Sequence, residues 1–255
     1  MKKLLFLLIF INILFLSSFA QKEYTEYWKS GSVSTKGFKS DKGVRVGSWT
    51  WFYEDGTKDH EGKYDDRGKK IDTWIYYYSN GKVKKQECYS DNGFEKAYYN
   101  NGQLYYSVEI IDGKKVGDYK EYHKDGKVKM IGKYVDDQLE GDVVWWYENG
   151  NKEMEGKLNR GLREGNWKYY YHSNGVLGSE GAYSNDKETG TWIYYYETKE
   201  KWREGSYING LREGEWITYY ENGNTNYPDS YSAQLQYHEG ERLPTKYAHL
   251  MQPQH

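Results

Sequence analysis

The residues of this 255-residue chain that could do chemistry are six histidines, one cysteine and a recurring set of carboxylates. His60, His123, His172, His238, His249 and His255 show no metal-ligand spacing, and none recurs at a fixed repeat position, so each is expected on a surface strand or loop. Glu164, Glu188, Glu204 and Glu213 are expected in loops of the repeat. Carboxylates that return from unit to unit suit solvated loops and turn partners better than an acid–base pair. Cys88 is the only cysteine, which excludes an intramolecular disulfide. It aligns with Lys63 and Lys133 of other units and is therefore expected to face solvent. There is no phosphate loop, no nucleophile elbow and no Cys/His cluster of zinc type. No catalytic residue, cofactor or metal is expected.

The aromatic residues carry the other chemistry, that of surfaces. Thirty Tyr and ten Trp supply large apolar bodies, most with a polar tip that can stay wet. They offset the scarcity of aliphatic residues and the mean hydropathy of −1.06, a balance that by itself would suggest disorder. Trp51, Tyr76, Trp145, Tyr169 and Tyr194 stand at one repeat position and define a candidate binding stripe. Such a row can grip a partner's chain or stack sugar rings, or it can cross-stack to stabilise its own sheet.

The elements that must position these residues follow from the periodicity. A turn dipeptide recurs at Asp55-Gly56, Asn80-Gly81, Asn101-Gly102, Asp125-Gly126, Asn149-Gly150, Asn174-Gly175 and Asn222-Gly223. A second marker runs in phase at Gly47, Asp72, Gly93, Gly117, Gly141, Gly165, Gly190 and Gly214. The period is about 24 residues, with Thr198-Lys199 in place of one turn dipeptide. Aromatic residues ahead of Asn-Gly predict strands joined by two-residue turns with positive φ. Five residues after the marker stand Phe52, Tyr77, Tyr98, Tyr122, Trp146, Tyr170, Tyr195 and Tyr219. Aromatic in every unit, this position is expected to form the stacked core, and the more variable stripe position to be more exposed.

One hairpin cannot bury its own aromatic face, whereas stacked hairpins cover one another. The predicted fold is all-β, an elongated single-layer solenoid of antiparallel β-hairpins, roughly 75 Å long for eight units at ~4.8 Å per strand. The partial unit 21–36 would cap its start, 37–223 would hold the repeats, and 224–255 would form a capping strand and tail. The third unit departs most, with Glu95, Lys96 and Ala97 where aromatics are expected.

The run Gly205-Ser-Tyr207-Ile-Asn-Gly210-Leu-Arg-Glu-Gly214-Glu-Trp216 resembles the MORN repeat. It recurs less completely over 132–141, with Asp137 at the middle glycine, and over 156–165, with Leu158 at the tyrosine. The Tyr-Tyr-x-Asn-Gly portion is similar to the bacterial MORN-variant group labelled YwqK-type antitoxins. The resemblance covers residues 24–223. It implies a cofactor-free hairpin solenoid used for scaffolding, membrane-proximal attachment or protein binding.

Lys2 and Lys3 precede the apolar run Leu4 to Leu16, and Ser18 and Ala20 follow it. This order predicts a signal peptide over 1–20 and export to a bacterial periplasm, outer envelope or exterior. As a helix, the apolar run rises only about 20 Å against a hydrocarbon core of about 30 Å, so no integral membrane span is expected after cleavage. The formal charge of −2, with acids and bases interleaved, gives no nucleic-acid footprint. The function that fits is non-catalytic: a protein-interaction scaffold, with an antitoxin or immunity protein and a glycan or cell-wall binder as alternatives.

Overall fold

The computed structural model describes residues 21–219, 221, 231–238 and 241–242; within 231–242, side chains are described only for Tyr237 and Glu241. The signal peptide expected over 1–20 lies outside the described residues, as does most of the expected tail. The chain divides into two compact units, one ending at Ile71 and the other beginning at Asp72. The first contains β1 (Lys22–Tyr27), β2 (Val33–Lys39), β3 (Arg45–Phe52) and β4 (Lys58–Tyr64), while β5 (Lys70–Tyr77) spans the division. The second continues through β6 (Val83–Cys88), β7 (Asn92–Tyr98), β8 (Leu104–Ile111), β9 (Lys114–Tyr122), β10 (Val128–Val135), β11 (Gln138–Leu139) and β12 (Gly141–Trp146). It then runs through β13 (Lys152–Asn159), β14 (Leu162–Tyr170), β15 (Leu177–Ser184), β16 (Lys187–Tyr195), β17 (Lys201–Ile208), β18 (Leu211–Tyr219), β19 (Tyr231–His238) and β20 (Glu241–Arg242). The fold is all-β, a single-layer solenoid of antiparallel hairpins in which strands pair with their chain neighbours.

Two kinds of turn alternate. At the Asn-Gly loops only the glycine has positive φ, as at Gly150 (93°). The Gly150 amide donates to Tyr147 O at 3.0 Å and the Tyr147 amide to Asn151 O at 2.9 Å. These loops are three residues long, or four at Asn174-Gly175, where the Tyr171 amide donates to Val176 O; they are not two-residue turns, because asparagine does other work. Asn149 Oδ1 accepts the Asn151 amide at 3.0 Å, while its Nδ2 donates to His172 O in the next unit at 2.6 Å. Asn80 and Asn101 make the same pair of bonds. An aspartate can supply only the acceptor; at Asp125, Lys127 Nζ takes over the inter-unit bond, donating to Glu148 O at 2.8 Å. The two-residue turns with positive φ at both positions lie at the opposite ends of the strands. They are Asp112-Gly113, Asp136-Asp137, Arg160-Gly161, Asn185-Asp186 and Asn209-Gly210.

Except at Gly93, the marker residues have positive φ and mark bulges. Gly47, Gly165, Gly190 and Gly214 have φ of 64–67°, and Asp72 occupies the same region at 57°. Register jumps beside each glycine; between β13 and β14, for example, Glu155 pairs with Lys168 but Lys157 with Glu164. The bend folds the tryptophan two residues after the marker back over a glycine of the preceding strand. A Cβ at Gly37, Gly156, Gly181 or Gly205 would stand 2.2–2.6 Å from the indole carbons of Trp49, Trp167, Trp192 or Trp216. Each indole N–H donates to a backbone carbonyl beside the jump: Phe38, Lys157, Ala182 and Ser206 O, at 3.1–3.2 Å.

The core therefore lies at the marker-plus-two position, with Trp49, Trp74, Tyr119, Val143, Trp167, Trp192 and Trp216 all buried. This corrects the expectation that Phe52, Tyr77, Tyr98, Tyr122, Trp146, Tyr170, Tyr195 and Tyr219 form it, for all eight are only half-buried. They lie on the other face, where several close a polar triad. The Tyr195 hydroxyl donates to Glu180 at 2.8 Å, Tyr170 to Glu155, and Tyr219 to Glu204. Lys152 and Lys201 pair with Glu155 and Glu204. His123 is also a correction: it is buried at 8% exposure, with Nε2 2.7 Å from Trp146 O. There it replaces the tyrosine that at Tyr99, Tyr147, Tyr171 and Tyr196 donates to the next unit.

Candidate binding site

Four of the five stripe residues lie on one row of the second unit. Strand pairing links Tyr76, Lys85, Ala97, Tyr106, Glu121, Met130, Trp145, Met154, Tyr169, Ser179, Tyr194, Arg203 and Thr218 in that order, each opposite the next. Trp51 holds the equivalent place in the first unit, between Thr35 and His60, and stacks on the His60 ring at 4.2 Å and 12°. Alternation sets this row two residues from the buried tryptophans, on the same face. Trp51, Trp145, Tyr169 and Tyr194 consequently lean on the core. Trp145, Trp167, Tyr169, Trp192, Tyr194 and Trp216 form an unbroken zigzag with centroids 6.0–6.2 Å apart.

The hydroxyls are anchored as well. Tyr169 OH donates to Tyr183 OH at 3.1 Å and accepts from Arg163 Nη1 at 3.2 Å; Tyr194 and Tyr207 hydroxyls lie 3.2 Å apart. Burial, followed by the Tyr207 contact, pushes the Tyr194 phenol well above its ordinary range. The rings are thus pinned in place and half-exposed. Their chemistry changes along the row. Met130, Trp145 and Met154 make an apolar stretch; Ser179 then leaves Tyr169 and Tyr194 with no side chain of comparable size between them.

The third unit interrupts the aromatic face. Gly93 has no positive φ, and Glu95 stands where other units place tryptophan. Lys85 bridges Glu87 at 2.6 Å and Glu95 at 3.0 Å; Lys115 reaches Glu95 at 3.3 Å, and the Tyr106 hydroxyl donates to Glu95 at 2.6 Å. Burial alone would raise both carboxyls, but hydrogen bonds from Tyr106 and Lys85 to Glu95, and from Lys85 and Tyr89 to Glu87, hold them below the usual range. The sequence signalled the departure but not that it is a satisfied ion-pair network on the core face.

Among the described residues no three His, Cys, Asp or Glu side chains cluster as a metal site, and no helix is long and apolar enough to cross a membrane. Cys88 is half-buried beside Ser90, whose hydroxyl lies 3.2 Å from the sulfur and holds the thiol below its ordinary range. Sequence reasoning missed two groups that complete the row, the methionines at 130 and 154 and Arg203. The signal for them was their common distance of two residues before Gly132, Gly156 and Gly205.

Comparison with known proteins agrees with this architecture. The profile of the family described as MORN repeat variant matches residues 45–66, 73–91, 115–136, 139–158, 188–209 and 212–227. No curated protein matches significantly. Among solved structures, the Tc holotoxin pore of Photorhabdus luminescens is 11% identical at a TM-score of 0.22, covering 85% of this chain and 13% of that one. A TcdB2–TccC3 structure is 9% identical at 0.21, covering 87% and 14%. The chain thus spans about a seventh or less of those chains, and likenesses this slight inform neither fold nor function. The six matched segments follow the hairpin period and leave out 92–114, around the third unit, and 159–187, which holds Trp167; the chain is a MORN-repeat protein of the variant type.

Proposed function

We propose that this chain is a non-catalytic, exported protein-interaction scaffold whose receiving surface is the row from Trp145 to Arg203. The observation that carries the proposal is the pinned, half-exposed state of that row. Tyr169 and Tyr194 are locked at ring and hydroxyl, so a partner binds them without the cost of ordering free side chains. Met154, half-buried beside Trp145, adds an adaptable apolar surface of the kind that grips protein segments. Sugar stacking fits less well, because the ring faces already lean on Trp167, Trp192 and Trp216 and present mainly edges.

Site-specific photo-cross-linking in the native envelope tests this reading. A photoreactive residue at Ser179 should trap a discrete partner, and one at Lys168, on the opposite face, should not. Equal labelling from both faces, or none from either, would sink the proposal. Recovery of a tagged chain from the cytoplasm alone would remove its exported part.

A further inference from the structure

Arg203 differs from the other arginines packed on this face of the second unit. Arg163 pairs with Asp186 at 2.8 Å and donates to Tyr169 OH; Arg212 donates to Tyr237 OH at 3.1 Å. The Arg203 guanidinium lies 5.0 Å from the Tyr194 ring, 5.0 Å from Trp202 and 5.1 Å from Trp216. Its Nε is buried and has no hydrogen-bond partner among the described residues. The rings hold the cation through their π faces but satisfy none of its N–H groups. The one carboxylate next to it in sequence, Glu204, is engaged on the opposite face by Lys201 and Tyr219.

We propose that Arg203, with Tyr194, Trp202 and Thr218 around it, is a carboxylate-binding subsite that receives an acidic side chain of an extended protein segment lying along the row. This deepens the scaffold reading and rests on it. A guanidinium is planar, weakly hydrated and able to bind a carboxylate through two parallel N–H bonds. Aromatic walls lower the local dielectric, which strengthens such a pair once it forms. The other end of the row fixes the partner's second feature. Trp145 with Met154, seated on the buried Met130, is an apolar anchor, and five strand steps separate Trp145 from Arg203. At ~4.8 Å per step the distance is roughly 24 Å, the reach of about seven residues of extended chain. The segment is therefore one with an aliphatic or aromatic residue about seven positions from an Asp or Glu.

Two measurements on the folded chain test the subsite. In the first, the Nε–H resonance of Arg203, assigned by its loss in Arg203→Lys, is followed by NMR during titration with N-acetylglutamate amide, its glutamine counterpart and inorganic phosphate. A saturable downfield shift with the carboxylate, absent with the amide, supports the site. No response to the carboxylate, or an equal or stronger one to phosphate, overturns it. In the second, a random peptide display library is panned against wild type, Arg203→Gln, and Trp145→Ala with Tyr169→Ala. Wild type should enrich an acid at a fixed distance from an apolar residue. Arg203→Gln should keep the apolar preference, lose the acid and bind the selected peptides about tenfold more weakly; the double substitution should lose both. Row-dependent binders with no acidic preference would overturn the subsite and leave the scaffold reading standing. A library that yields no row-dependent binder would overturn both.

Discussion

At the scale of single residues the fold turns on atoms that glycine lacks. Trp167 lies flat on Gly156 because no Cβ stands between them, and a methyl placed there would approach the indole to 2.3 Å. The backbone at Gly156 has ordinary φ, so the requirement is purely steric. Replacement by alanine must move a buried indole that is also hydrogen-bonded to Lys157 O. Gly156→Ala is expected to cost about 3 kcal/mol, the upper part of the range for overpacking a core. Gly132 is the internal control, because a Cβ there would meet Val143 Cγ1 at 3.0 Å and flexible Met130 and Leu139 ends slightly farther out. Gly132→Ala should cost about 1 kcal/mol. Urea unfolding of the two variants checks the ordering, and equal midpoints would contradict it.

At the scale of elements, the two ends of the strands hold successive units together by different chemistry. The Asn-Gly end is built from side chains: a tyrosine or histidine and an asparagine donate to carbonyls of the next unit. The opposite end carries backbone bonds, Asp137 N to Lys115 O, Gly161 N to Leu139 O, Asp186 N to Arg163 O and Gly210 N to Glu188 O, at 2.9–3.1 Å, to which carboxylates add acceptors for the Lys115, Arg160, Arg163 and Asn185 amides. Only the first end can be weakened by removing one hydroxyl. Tyr171→Phe deletes the 2.6 Å bond to Tyr195 O and should cost about 1 kcal/mol. Amide exchange should accelerate in the loop from Tyr196 to Glu200 while the Gly210 amide keeps its protection; acceleration at both ends would refute the division. The division also shows what could be read in advance. Period, strand content and hairpin architecture were legible because Asn-Gly and the marker glycines recur in phase. The buried face was not, because aromatic residues occupy both marker-plus-two and marker-plus-five, and composition cannot separate a buried indole from a phenol bonded to glutamate. The stripe was legible as a row. Arg203 and the methionines escaped notice because they vary in type from unit to unit and only strand pairing brings them into line.

At the scale of the whole molecule, so many half-buried phenols should make stability depend on alkaline pH. Burial, together with neighbouring carboxylates, raises the Tyr195 phenol to about 12 beside Glu180 and the Tyr219 phenol to about 12 beside Glu204. Tyr89 rises to about 12 beside Glu87, and Tyr170 and Tyr183 are raised further. A group whose folded pKa lies above its unfolded value contributes stability that is complete below the unfolded value, near 10 for tyrosine, and disappears as pH rises through the folded one. The carboxylates act oppositely: the Tyr219 and Lys201 bonds hold Glu204 low and the Arg163 bonds hold Asp186 low. Their contribution is present above the ordinary carboxylate range and fades only as pH falls below it. The protein should therefore hold a broad plateau of stability and fail on the basic side between about pH 10 and 12, where ionised phenols would face Glu180 and Glu204 without a proton between them. Tyrosinate absorbance should lag behind that of free tyrosine past pH 10 and then rise together with a loss of tryptophan fluorescence, as the buried indoles meet water. Tyr195→Phe with Tyr219→Phe should shift that coincident transition to higher pH, since two of the groups driving it are gone. A smooth tyrosinate rise centred near 10 with unchanged tryptophan emission would show that the phenols are not held by the fold.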